Sequence, residues 1–164
     1  MKQLLIMRHA KSDWSHPELG DHDRPLNKRG LRNAPAMGDW LISQELEPEL
    51  VISSTAHRAK QTTELMTSQF DTSIPTQYDS DLYHASLDTW LTTIPIYAES
   101  ESTILIVGHN PGLERLVYDL TGEYHALPTA TITYLRLQTD DWSEIGSAPV
   151  KHVEVWRPKE IGVE

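Results

Sequence analysis

The chain has 164 residues, no cysteine and a formal net charge of −10. Its length fits one domain over residues 1–164, large enough to bury a core without covalent staples. The lack of cysteine excludes disulfides, thiolate-held zinc and a cysteine nucleophile, and the acidic balance disfavours non-specific nucleic-acid binding.

Leu4–Met7 reads as a short buried strand. Arg8 and His9 interrupt its apolar run before it reaches the roughly 7–15 residues of a signal-peptide core. No stretch approaches the roughly 20 apolar residues of a membrane span, so a soluble, unprocessed, cytoplasmic protein is expected. A polar loop follows over residues 12–25, with Pro17, Gly20 and Pro25. Asn27 is placed to cap a helix in which Leu31, Ala34, Met37, Gly38, Leu41 and Ile42 recur at helical spacing. Val51–Ser53 predicts a second strand, and a helix is expected from about Arg58 to Phe70. Leu87, Trp90, Leu91, Ile94 and Tyr97 form a clear helical stripe. Thr103–Val107 is a continuous β-branched run of the kind found in central parallel strands. Pro111 opens another helix, where its missing N–H costs nothing, with Leu113, Leu116, Val117 and Leu120 on its core face. Thr131–Leu137 and Val150–Trp156 alternate with period two and are expected to pair near a sheet edge. The tail after Pro158 is expected to fray. The βαβα order predicts an α/β sandwich.

Three segments end predicted strands: Arg8-His9, the stretch from Ser53 to Ala59, and Gly108-His109-Asn110-Pro111. Ligands of open α/β sheets bind outside the carboxyl ends of the strands, so these segments can bring two histidines and two arginines to one pocket. Residues 1–60 also hold nine Lys/Arg against eight Asp/Glu, whereas the rest of the chain holds five against sixteen. Such a set suits phosphoryl transfer. The transferring group spreads negative charge over three oxygens and needs positioning and cationic donors. Arginine offers a planar fork to those oxygens, and a neutral imidazole can attack phosphorus.

The segments RHAKSDW (8–14), DRPLNKRG (23–30), SSTAHRAKQT (53–62) and LIVGHNPGLERL (105–116) together resemble the histidine phosphatase superfamily, and within it the SixA-type phosphohistidine phosphatases. The resemblance runs from about Lys2 to Leu137. It implies a phosphoglycerate-mutase-like fold: α/β, a three-layer sandwich with a mostly parallel central sheet. His9 then matches the nucleophile that is transiently phosphorylated, Arg8 and Arg58 the phosphate clamps, and His109 the second histidine, expected to be cationic beside phosphate. No metal or other cofactor is implied. Lys11, Ser12 and Arg24 are further expected at the substrate-binding rim. Asp81 is weighed as a substrate-binding residue and general acid, although the chain is too short for the inserted segment that bears the acid in larger members. His57 departs from the family pattern. The triplet Asp21-His22-Asp23 is read as loop rather than metal site. The expected partner is a phosphorylated protein or small phosphoester, with phosphate or a similar anion as site occupant and no nucleic acid or membrane. The readings are a phosphohistidine phosphatase, a general phosphomonoesterase, a mutase, or a phosphate-binding module without activity.

Overall fold

The computed structural model describes residues 1–163. Strands β1 (Lys2–Arg8), β2 (Leu50–Ser54), β3 (Thr76–Asp79), β4 (Thr103–Gly108), β5 (Ile132–Leu137) and β6 (Val150–Trp156) form one sheet in the order β3-β2-β4-β1-β5-β6. The first four run parallel, while β5 and β6 are antiparallel additions at one side. Helices α1 (Lys28–Ser43) and α2 (His57–Thr67) cover one face, and α3 (Leu87–Tyr97) and α4 (Gly112–Thr121) the other.

Strand periodicity builds the two cores. In β1, Leu5 and Met7 point to the α1/α2 layer and Leu4 and Ile6 to the α3/α4 layer. Both faces are covered, so the central strands read as unbroken apolar runs. Asn27 does cap α1, accepting from the Gly30 N–H at 2.9 Å. Two residues of its predicted apolar stripe, Leu31 and Ile42, are 45% and 44% exposed, and the core face reduces to Ala34, Met37 and Leu41 with Gly38. Helix α2 ends at Thr67, short of Phe70. The polar edge strand β3, TQYD, carries no apolar signal and escapes a sequence reading. The expected fraying after Pro158 is corrected over residues 159–163, Glu164 lying outside the described residues: Val163 N–H bonds Pro158 O at 2.9 Å, and Ile161 and Val163 pack on the α1/α2 core.

The connections position the site. β1 leads to α1 on one face, and its neighbour β4 leads to α4 on the other. Adjacent strands whose exits diverge leave a crevice at their carboxyl ends. Arg8 pairs with Gly108 in register, and His9 N–H bonds Gly108 O at 3.1 Å. His9 and His109 therefore lie side by side at this crevice. No helix among the described residues is long and apolar enough to cross a membrane.

Candidate active site

The crevice holds a cavity of about 330 Å³ lined by Arg8, His9, Arg58 and His109, together with Lys11, Ser12, Trp14, Asp21, Arg24, Tyr83, His84, Asn110 and Thr129. The His9 and His109 ring centroids are 5.1 Å apart. His9 is 6% exposed, and its Nδ1 lies 2.8 Å from Ala10 O. A carbonyl oxygen only accepts, so Nδ1 carries the proton and Nε2 keeps the lone pair. Burial lowers the His9 pKa to about 3; the Ala10 hydrogen bond opposes this, and His109, Arg58 and Arg8 add to it. The ring is a neutral imidazole near neutral pH, with its tautomer set by the backbone.

His109 is lowered to about 3 as well, by burial first and then by Arg58. Its Nε2 lies 2.8 Å from Ser54 Oγ, which already accepts from Ala56 N–H at 3.1 Å. Ser54 Oγ has a second lone pair and one proton, so it pairs with Nε2 in either tautomer, while Nδ1 is a buried atom without a protein partner among the described residues. With protein groups alone around it, His109 is neutral. The expected cation therefore requires the charge of a bound phosphate to raise its pKa.

Helix α2 brings Arg58 in on its first turn, 6% exposed. The QT that follows anchors two other parts of the pocket. Gln61 Oε1 accepts from Leu26 N–H at 2.7 Å, and Thr62 Oγ1 accepts from Ala10 N–H at 2.9 Å. Arg8 donates through NH1 to Leu127 O at 3.1 Å, and Asn110 donates to the same oxygen at 2.9 Å. Glu114, in the first turn of α4, accepts from Leu127 N–H at 2.8 Å and sets its charge toward Arg8.

The residue that sequence reasoning missed is Asp21. Its Oδ2 takes Arg58 NH2 at 3.1 Å and the Tyr83 hydroxyl, its Oδ1 takes Arg24 Nε at 3.1 Å, and its backbone oxygen takes Arg58 NH1 at 2.7 Å. The Tyr83 hydrogen bond, then the two arginines, holds its carboxyl well below the ordinary carboxylate range. Arg24 is fixed further by Ser12 Oγ at 2.7 Å and by Trp14, whose ring centroid lies 3.4 Å away. Lys11, Ser12 and Arg24 thus line the cavity. Asp81 does not: it is exposed on a short 3-10 turn, and Tyr83 and His84 of the same segment reach the site instead. His57 is exposed and lies outside the cavity. The spacing of a polar loop carries no signal for Asp21, whose place is set by an arginine 37 residues away. No cluster of three or more His, Cys, Asp or Glu suited to a metal occurs among the described residues. A second cavity, of about 470 Å³, adjoins the first through Tyr83, His84, His109 and Asn110.

A doubly covered α/β sheet with paired histidines and buried arginines at its switch point defines an enzyme of phosphoryl chemistry. The chain belongs to the histidine phosphatase superfamily (branch 1), whose family model matches residues 4–94, and it is a phosphatase. An uncharacterized protein of Mycobacterium tuberculosis is 34% identical over 85% of this chain and 91% of its own length. An uncharacterized chloroplastic protein of Arabidopsis thaliana is 32% identical over 87% and 70%. Among solved structures, a candidate phosphohistidine phosphatase, SixA, from Agrobacterium tumefaciens superposes with a TM-score of 0.82 at 27% identity, covering 96% of this chain and 98% of that one. Another from Nakamurella gives 0.81 at 26%, covering 93% and 95%.

Proposed function

We propose that this phosphatase hydrolyses protein phosphohistidine through a phosphorylated His9. The observation that carries the reading is the His9 imidazole, neutral and with Nε2 as its free lone pair. Nε2 attacks phosphorus as the bond to the leaving nitrogen breaks, and the departing imidazole leaves protonated. Arg8, Arg58 and His109 hold the three oxygens, with Lys11, Ser12 and Arg24 forming the rim. Water then attacks the phosphohistidine, breaking the P–N bond and releasing phosphate. Residues 1–164 act as one domain, in the cytoplasm.

Proton supply selects the substrate class. An alkoxide leaving group needs a proton donor, typically worth about 10²–10⁴ in rate. Asp21 is the carboxylate in the cavity, and its partners keep it ionised. Asp81 lies outside the lining. An imidazole, protonated before it departs, needs no carboxylic acid. The two SixA proteins named above, candidate phosphohistidine phosphatases themselves, support the same substrate. A second reading, hydrolysis of small phosphomonoesters, is favoured by the adjoining cavity of about 470 Å³, which is sized for a compact leaving group.

The test is phosphate release from a phosphohistidine-bearing protein beside 4-nitrophenyl phosphate, with His9→Ala as control. Strong preference for the protein, lost in the variant, is expected. Turnover of esters alone would move the assignment to the second reading, and silence on both substrates would leave a binding module.

A further inference from the structure

Outside the cavity, the molecule arranges its cations against its own average. Lys28, Arg29 and Arg32 open α1 and are exposed, and that helix has no acid in its first turn. This is the end of a helix where the dipole disfavours positive charge. Lys28, Leu31 and Arg32, at i, i+3 and i+4, share one face, so the 45% exposed Leu31 sits between two cations. The chain has 24 acidic residues available, yet among the described residues Lys11, Lys28, Arg29, Arg32 and Lys159 form no ion pair, whereas Arg157 pairs with Glu160.

This basic surface is continuous with the site. The start of α1 packs on the Lys11 backbone, whose oxygen accepts from Asn27 N–H at 2.9 Å. Thr129 lines both the phosphate cavity and a smaller one bordered by Arg29, Arg157 and Lys159. On the rim stands Trp14, 70% exposed and held against Arg24. An exposed but anchored tryptophan among cations has the composition of an interface anchor.

We infer that the face formed by the start of α1, Lys11, Trp14 and Lys159 docks an acidic protein surface that carries the phosphoryl group. The inference rests on the proposed phosphohistidine activity and assigns its macromolecular specificity. Charge complementarity selects the occupant. A small anion is satisfied inside the cavity and needs no cations on α1. A nucleic acid carries its negative charge along its whole length and so extends beyond this face over a molecule of net charge −10, whereas an acidic protein patch is confined to the contact. An acidic protein patch placed over the cavity mouth meets the unpaired cations of this face. Such complementarity acts mainly on the association rate and is screened by salt.

The test compares an acidic and a basic phosphohistidine-bearing protein, with 4-nitrophenyl phosphate as reference, for wild type and the triple variant Lys28→Glu, Arg29→Glu, Arg32→Glu. For wild type, kcat/KM on the acidic protein is expected to fall at least about 10-fold as NaCl rises from about 20 to about 300 mM, with the small ester changing little. The variant is expected to lose about 10-fold or more on the acidic protein at low salt, while retaining ester turnover and wild-type circular dichroism. Equal turnover of acidic and basic proteins, a salt-independent rate, or an unaffected variant would overturn the docking face while leaving the activity standing. Inhibition of protein turnover by sub-stoichiometric RNA, relieved in the variant, would reassign the face to nucleic acid. Absence of phosphohistidine turnover with ester hydrolysis intact would remove the substrate reading and the docking face with it.

Discussion

Asp21 shows how a loop residue governs a buried cation. Arg58 is 7% exposed at its side chain, and Asp21, 45% exposed, supplies its counter-charge. Removing one partner of a buried pair leaves a charge without compensation. The half-exposure of Asp21 reduces that cost, because solvent screens the pair. Asp21→Asn is therefore expected to lower stability by about 1 kcal/mol, a fall of about 2–4 °C in Tm for a domain of this size. It is also expected to raise KM more than it lowers kcat, since the loop bearing Arg24 and Trp14 loses its tie to α2. Differential scanning calorimetry and steady-state kinetics on the same preparation check both, and unchanged Tm and KM would show that the pair is silent. His9 and His109 were legible in the sequence because each follows a strand of unmistakable apolar pattern. The His9 tautomer was not, because it depends on Ala10 O standing 2.8 Å from Nδ1.

At the scale of elements, close approaches decide how the first helix holds the pocket. A Cβ on Gly30 would stand 2.2 Å from Lys11 O, and one on Gly38 would stand 2.4 Å from Met66 O. Both substitutions overpack, which typically costs about 1–3 kcal/mol. Their functional effects should differ. Gly38→Ala separates α1 from α2 away from the cavity and is expected to lower Tm with little change in kcat/KM. Gly30→Ala pushes on the segment that follows His9, where a displacement near 1 Å can cost about 10²-fold. Chemical denaturation and kcat/KM measured in parallel separate the two, and equal kinetic losses would contradict this division. The helices themselves were readable from apolar spacing, but α1 was read too generously: Leu31 and Ile42 fit the period and yet face solvent. Periodicity gives a stripe, and the width of the neighbouring layer decides how much of it is covered.

For the whole molecule, the two histidines link folding to pH. Each has a folded-state pKa of about 3, depressed chiefly by burial, against about 6.5 when unfolded. Between those values the unfolded chain binds more protons than the native one, so stability falls as pH drops. The slope reaches about 1.4 kcal/mol per pH unit for each histidine. Full stability from these groups is present above pH about 6.5 and is lost progressively toward acid. Asp21, depressed in the folded state, contributes the same sign only below the ordinary carboxylate pKa. Urea midpoints measured at several values between about pH 7.5 and 4.5 should fall steadily, and His9→Gln should flatten the slope. A flat profile for wild type would show that the buried imidazoles titrate normally.

The sequence by itself determined the α/β architecture, the chain ends of the central strands and the gathering of Arg8, His9, Arg58 and His109 at those ends. Backbone hydrogen bonding and burial impose periods of two and 3.6 on any sequence that forms these elements, so this information is local and written in residue order. Only the tertiary structure decided that Asp21 clamps Arg58, that Tyr83 and His84 rather than Asp81 reach the cavity, that TQYD joins the sheet as an edge strand, and that Ile161 and Val163 pack on the core. Each of these depends on a partner distant in the chain, and polar loops carry no period from which such a partner can be read. The same holds for charge: the total is a property of composition, but the placement of unpaired cations beside the cavity is set by how α1 packs on the segment after His9.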